Sequence, residues 1–289
     1  MHKTALALAA AAALVSTGAI AASADVVVLM DESGSMSGEQ AWIPGTISTL
    51  DTGLIGAGLS GNRYGLVGFG ATAAPLPSRV RSFPVGGGQF GTAAQFSTAA
   101  AGLQTTGGTE DGYAAIAAAN LYSFAPGAAR NYILVTDEDR DNTAALTFAS
   151  VLSSMTSTNT LLNAVVNATF RCGDATAAIG IIGSTGYKAN GTGGFTTCGG
   201  ASFVGSSNTI TDYVQLALGT GGGAWNLNIL RSGGTNAESF TNAFIAGKID
   251  EIVTQVPGIP EPETYALMLA GLGAVGWAAR RRKARATPA

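Results

Sequence analysis

The chain has 289 residues, 46% of them hydrophobic and only 11% charged, with 41 glycines; between its two ends the apolar residues fall in short runs, far below a bilayer-spanning length. Residues 25–259 contain 9 basic and 16 acidic side chains, a net charge of −7 with no basic cluster. This balance argues against nucleic acid, whose affinity rests on cationic neutralisation of phosphates, and is compatible with binding divalent cations.

At the N-terminus His2, Lys3 and Thr4 precede an apolar run over 5–15, and small residues follow to Ala22-Ser23-Ala24. This pattern predicts a signal peptide over 1–24 and a mature chain starting near Asp25. Residues 26–30, Val-Val-Val-Leu-Met, are a continuous apolar run and predict a strand buried on both faces, ending at Asp31. From 39 to 59, Trp42, Ile43, Ile47, Leu50, Leu54 and Ile55 recur at helical spacing, with Pro44 implying that regular helix begins near Ile43.

Residues 64–69 predict a second strand, and 80–85 a short edge strand limited by Pro84. Ala-rich helices are expected over 90–103 and 111–121, joined by the polar turn 105–110. A strand over 131–137 ends in Asp137, a helix follows over 143–155 and a strand over 162–170. Beyond Cys172 the pattern loosens into a Gly-rich loop at 172–205, with a possible strand at 177–182 and a loop at 185–200. Residues 211–218 fit helix or strand, 225–230 alternate as a final strand, and 237–253 are helical in spacing. Strands alternating with helices imply an α/β fold: a doubly wound, mostly parallel central sheet flanked by helices, in one domain over 25–255. Such sheets bind ligands beyond the carboxyl ends of their strands, where Asp31 and Asp137 both fall.

Asp31-Glu32-Ser33-Gly34-Ser35, directly after the first strand, resembles the D-x-S-x-S motif of von Willebrand factor A domains, where it begins the metal-ion-dependent adhesion site. The resemblance implies that Ser33 and Ser35 bind the ion, that Asp31 binds it directly or through water, and that Thr109 and Asp137 complete the protein's share. Taken alone the motif also fits helix capping. Three hydroxyls with two carboxylates supply the oxygen ligands that hard divalent cations prefer, Mg²⁺ first, with Mn²⁺ or Ca²⁺ as alternatives. Such a site leaves the ion electrophilic, so the resemblance implies that an acidic group on a protein or matrix polymer supplies the missing ligand. One departure stands out: the family commonly has Gly after the second Asp, whereas here Glu138-Asp139-Arg140-Asp141 follows. This run reads as a solvated charged loop, or as one in which Glu138 or Asp139 modifies metal choice or competes with a partner's carboxylate.

The two cysteines, Cys172 and Cys198, are expected to form a disulfide in an oxidising compartment. At the C-terminus a linker over 256–259 leads to Pro260-Glu261-Pro262, an apolar stretch over 264–279, and Arg280, Arg281, Arg282, Lys283 and Arg285. The basic cluster places this end in the cytoplasm and everything before it outside. The three parts, spanning 260–285, resemble the PEP-CTERM sorting signal. That implies recognition by an exosortase, a helix initially in the inner membrane, and delivery to the envelope or extracellular matrix; the alternative is a plain tail anchor. The expected function is therefore metal-dependent binding, with a structural matrix protein as the alternative. Catalysis is not expected, because Ser33 or Ser35 as nucleophile needs a nearby His or Lys base, and Lys188 and Lys248 lie in unrelated segments.

Overall fold

The first strand, β1 (Ala24–Asp31), is buried at every residue because it runs parallel between two others, β2 (Arg63–Phe69) and β4 (Ala129–Val135). A strand covered on both faces needs no polar alternation, hence its unbroken apolar run. The computed structural model describes residues 22–76 and 79–256. All but the last three residues of the expected signal peptide lie outside them, as do the linker beyond Val256 and the sorting signal.

The remaining elements are α1 (Ser37–Gly56), β3 (Val80–Phe83), α2 (Ala93–Ala100), α3 (Gly112–Ala119), α4 (Phe148–Thr156) and β5 (Thr160–Val166). Five short strands follow: β6 (Thr169–Arg171), β7 (Ala177–Ala178), β8 (Gly180–Ile182), β9 (Thr185–Ala189) and β10 (Phe195–Cys198), then β11 (Ser202–Val204). A π-helical turn (Ile210–Val214) runs into α5 (Gln215–Gly219), β12 (Gly223–Asn226), α6 (Leu227–Arg231) and α7 (Gly234–Gln255).

The main sheet has nine strands in the order β10-β9-β8-β12-β5-β4-β1-β2-β3. From β2 through β1, β4 and β5 to β12 the pairing is parallel, with antiparallel strands at both edges. The chain winds from β1 one way through β2 and β3, and the other way through β4, β5 and β12. The reversal falls between β1 and β4, where the connections diverge and leave a crevice beyond the strand ends. The centre of this mixed sheet is the doubly wound, parallel α/β arrangement that the sequence predicts.

Each face of the sheet carries its own core. On one, Trp42 of α1 meets Phe240 and Phe244 of α7 edge-on at 5.8 and 5.6 Å, and Trp225 of β12 meets Phe244 at 5.3 Å. On the other, Tyr113 of α3 and Tyr213 of the π-helical turn stand edge-on at 6.2 Å.

Five expectations are corrected. The Gly-rich stretch 172–205 is not a loop: β9 and β10, within the expected loop 185–200, form a hairpin that extends the main sheet, and β11, β6 and β7 make a second small sheet. β6 overlaps the stretch 162–170 and β7 lies in 177–182, both read as strand, whereas β9, β10 and β11, of three to five residues, gain ladder hydrogen bonds at an edge, so hydropathy carries no sign of them. The expected strand 225–230 is strand only to Asn226, whose side chain accepts the Asn228 N–H and starts α6. Helix α1 starts at Ser37, seven residues before Pro44, because one proline removes a single helical bond while the buried face Ile43, Thr46, Ile47, Leu50 and Leu54 continues past it. The expected strand 162–170 divides into β5 and β6, and the helix expected from Thr143 begins at Phe148, where Thr147 forms a reciprocal cap with Ser150.

Candidate metal centre

Asp31 ends β1, and the turn that follows folds straight into α1, so the strand's direction and the helix's start fix Ser33 and Ser35 beside it. Asp31 is fully buried; its Oδ1 accepts the Ser33 N–H at 2.7 Å and its Oδ2 accepts the Thr136 hydroxyl at 2.7 Å. The first bond curls the backbone so that the Ser33 and Ser35 hydroxyls lie 3.2 Å apart. Ser35 in turn donates to Asp137 Oδ1 at 3.0 Å. Four of the five predicted ligands, Asp31, Ser33, Ser35 and Asp137, thus come together across the β1–β4 crevice.

Thr109 arrives from the loop between α2 and α3 and is placed by its backbone. That loop bonds to the motif itself: the Thr106 N–H donates to Glu32 O at 3.0 Å and the Gln104 N–H to Glu32 Oε1 at 2.7 Å. Gly107 makes the approach possible, since a Cβ there would stand 1.9 Å from the Gly70 carbonyl oxygen. A Cβ on Gly70, which has φ +91°, would lie 3.4 Å from Asp31 Oδ1, 3.6 Å from Thr109 O and 3.3 Å from Glu110 Cγ. Gly70 therefore leaves open the space around which Asp31, Thr109 and Glu110 gather.

Sequence reasoning missed four participants. Thr136 orients Asp31. Gln40 donates to the Asp31 and Gln104 carbonyl oxygens at 3.1 and 2.7 Å, tying α1 to both loops. Arg231 of α6 reaches Asp137 Oδ2 at 2.9 Å and Glu39 at 2.7 Å, and so holds the outer oxygen of Asp137. Glu110 is only 1% exposed, and among the described residues neither carboxyl oxygen has a hydrogen-bond partner. Thr136 and Glu110 adjoin the predicted ligands Asp137 and Thr109 in sequence, and Gln40 lies in the helix that follows the motif, but no spacing rule shows which way their side chains turn; Arg231 comes from a separate segment.

The electrostatics express crowding. Burial raises the Asp31 carboxyl to about 6 against the bonds from Ser33 and Thr136, and nearby Asp137 adds to the rise. Burial likewise raises Glu110 to about 8, reinforced by Asp31, Glu138 and Asp141. A buried, unpartnered carboxylate beside a second buried carboxylate is an arrangement that positive charge relieves. Among the described residues no group of three or more His, Cys, Asp or Glu side chains is arranged to hold a metal. Any ion here would depend on the serine and threonine hydroxyls, which suit Mg²⁺, Mn²⁺ or Ca²⁺ and not a soft metal.

The acidic run after Asp137 is not a freely solvated loop. Asp139 accepts the Thr209 N–H at 2.8 Å and its hydroxyl, Arg140 pairs with Asp111 at 2.6 Å, and Asp141 accepts the Glu110 N–H at 2.7 Å. Asp139 is thereby bonded to the start of the π-helical turn; Glu138 is exposed, its charge adds to the rise of the Glu110 carboxyl, and its N–H donates to the Thr136 hydroxyl at 3.4 Å. Beside Ser35 a cavity of about 300 Å³ is lined by Gly38, Glu39, Trp42, Leu230 and Arg231.

Cys172 and Cys198 form a disulfide that pins β10 to the segment after β6. Among the described residues no helix is long and apolar enough to cross a membrane.

Residues 258–283 match the PEP-CTERM protein-sorting motif. Together with the disulfide, the match fits an exported protein of the cell envelope. The structure is similar to a von Willebrand factor type A protein from Catenulispora acidiphila, at 21% identity and a TM-score of 0.37, over 50% of this chain and 33% of that one. Proximal thread matrix protein 1 of the mussel byssus is similar at 18% identity and a TM-score of 0.37, over 50% and 38%. A structure of that byssus protein with a zinc-occupied MIDAS motif is similar at 16% identity and a TM-score of 0.36. The matches span about a third of the length of these solved chains. No curated protein matches the sequence.

Proposed function

We propose that this chain is an exported binding protein of the envelope or extracellular matrix, and that its von Willebrand factor A-type crevice takes an acidic group of a partner through a divalent cation. The observation that carries this reading is the linked set Asp31, Ser33, Ser35 and Asp137 at the β1–β4 reversal, with Glu110 buried and unpartnered beside it. Asp31, Ser33, Ser35, Thr109 and Asp137 would hold the ion, with Mg²⁺ the best match to their oxygens. When bound, the ion supplies a Lewis-acidic position that a carboxylate can fill.

The chain's own residues do the rest. Thr136 and the Ser33 N–H orient Asp31, Arg231 fixes the outer face of Asp137, and Ser35 sits exposed at the rim. The cavity beside it offers Trp42 and Leu230 to an apolar neighbour of the incoming acid, with Arg231 for a second oxygen. Binding rather than catalysis is favoured because Lys188 is committed to Asp174, and Lys248 to Asn131 and Glu251. The sorting motif supports processing by an exosortase-type enzyme, with the apolar stretch 264–279 in the membrane before it.

Calorimetric titration of Mg²⁺, Mn²⁺ and Ca²⁺ into the full chain tests the reading. One saturable site is expected, abolished in Asp31→Ala and Ser35→Ala. Unchanged binding in both variants would refute it.

A further inference from the structure

Away from the metal centre, three polar side chains meet inside the core beneath α7. Asn131 on β4 and Lys248 on α7 are fully buried, and Glu251, one turn beyond Lys248, is 7% exposed. Lys248 Nζ is in direct contact with Asn131 Oδ1 and lies 3.1 Å from Glu251 Oε2. Glu251 Oε2 is oriented by the Asn163 Nδ2 donor at 2.7 Å, and Asn163 Oδ1 by the Trp225 indole N–H at 2.8 Å. Two atoms of the cluster are buried without partners among the described residues, Asn131 Nδ2 and Glu251 Oε1.

As a permanent ion pair this arrangement is poor. It buries an ammonium and leaves both an amide N–H₂ and a carboxylate oxygen unsatisfied, which folded cores rarely tolerate. As a set of reactants it is complete. The amine touches the amide oxygen, one bond from the electrophilic carbon Cγ, and a carboxylate touches the amine.

We propose that Lys248 and Asn131 become joined by an intramolecular isopeptide bond, with Glu251 carrying the proton. Glu251 takes a proton from the Lys248 ammonium, and the neutral amine attacks Asn131 Cγ. Protonated Glu251 bonds the oxygen of the tetrahedral intermediate. One proton passes from the attacking nitrogen to Nδ2, the Cγ–Nδ2 bond breaks, and the departing ammonia removes the proton held on Glu251. One C–N bond forms and one breaks, nothing is oxidised or reduced, and the unpartnered N–H₂ leaves the core. Burial favours the neutral amine, since it lowers the Lys248 pKa against the pull of Glu251.

The bond would tie α7 to the centre of the sheet across 117 residues of sequence. The chain leaves α7 toward the sorting motif, so a pull on an envelope-anchored C-terminus would pass into β4, next to the strand that ends in Asp31. That consequence rests on the proposed function; the bond itself does not.

Peptide mapping of the full chain tests it. Trypsin cuts the denatured protein after Arg130, Arg140 and Arg231, and after Lys248 only if its amine is free. The expected product joins peptide 131–140 to a peptide beginning at Ser232 with Lys248 uncut, and the intact protein is lighter by one ammonia. Separate recovery of peptides 131–140 and 232–248 from wild-type protein would overturn the proposal. Glu251→Ala is expected to retain the ammonia and yield the separate peptides; complete cross-linking in that variant would overturn the role given to Glu251. Mg²⁺ titration of the same samples reads the metal site independently, so failure of either proposal is recognised without the other.

Discussion

Asp31 is held by two donors at 2.7 Å, and the orientation of its carboxyl depends on both. Removing Thr136 as donor, in Thr136→Val, leaves every predicted ligand in place but frees the Asp31 carboxyl; affinity for Mg²⁺ measured by calorimetry should fall about 10- to 100-fold, as for outer-shell partners generally. A second consequence concerns pH. In EDTA the folded chain binds protons more tightly than the unfolded one at Asp31, ordinarily 3.8 and here about 6, and at Glu110, ordinarily 4.5 and here about 8. Their contribution is thus full below about pH 4 and is lost as the pH rises toward 8. Urea midpoints in EDTA should decline over that range, and Mg²⁺ should raise the midpoint more at pH 8 than at pH 5. A midpoint in EDTA that is flat with pH would count against the crowded carboxylates. Asp31, Ser33 and Ser35 were legible because one turn holds them. Glu110, Thr136 and Arg231 were not, since their relation to the site exists only once β1, β4 and α6 are assembled.

Among the elements, legibility followed the way each is stabilised. β1, β4, α1 and α7 bury continuous faces, so periodicity found them. β9 and β10 are held by edge pairing and by the disulfide, and their Gly- and Thr-rich sequence reads as loop, whereas β7 and β8 fall in the stretch 177–182 read as strand. The disulfide closes a segment of 26 residues, which in the chain-entropy model contributes on the order of 3 kcal/mol. Cys172→Ser with Cys198→Ser should lower unfolding free energy by about that amount and leave Mg²⁺ affinity unchanged, because the pair belongs to the far edge of the sheet. The loop carrying Thr109 makes the opposite prediction. Gly107→Ala places a methyl against the Gly70 carbonyl oxygen, so it should displace Thr109 and Glu110 and weaken Mg²⁺ binding. Retention of full affinity in that variant would remove Thr109 from the ligand set.

At the scale of the molecule, the doubly wound sheet brings Asp31 and Asp137 to one crevice although 105 residues lie between them in sequence. The alternation of strands and helices implied the sheet. It did not imply the three antiparallel strands added beyond β12, nor the short helix that carries Arg231 to the rim. The crevice sits in a region of net charge −7, counted over 25–259, which repels an acidic polymer unless a cation intervenes. The most direct measurement is therefore retention of polyglutamate on the immobilised full chain in Mg²⁺, in EDTA, and with Asp31→Ala. Metal-dependent binding predicts retention in Mg²⁺ that is lost in EDTA and absent from the variant. Equal retention under all three conditions would contradict it.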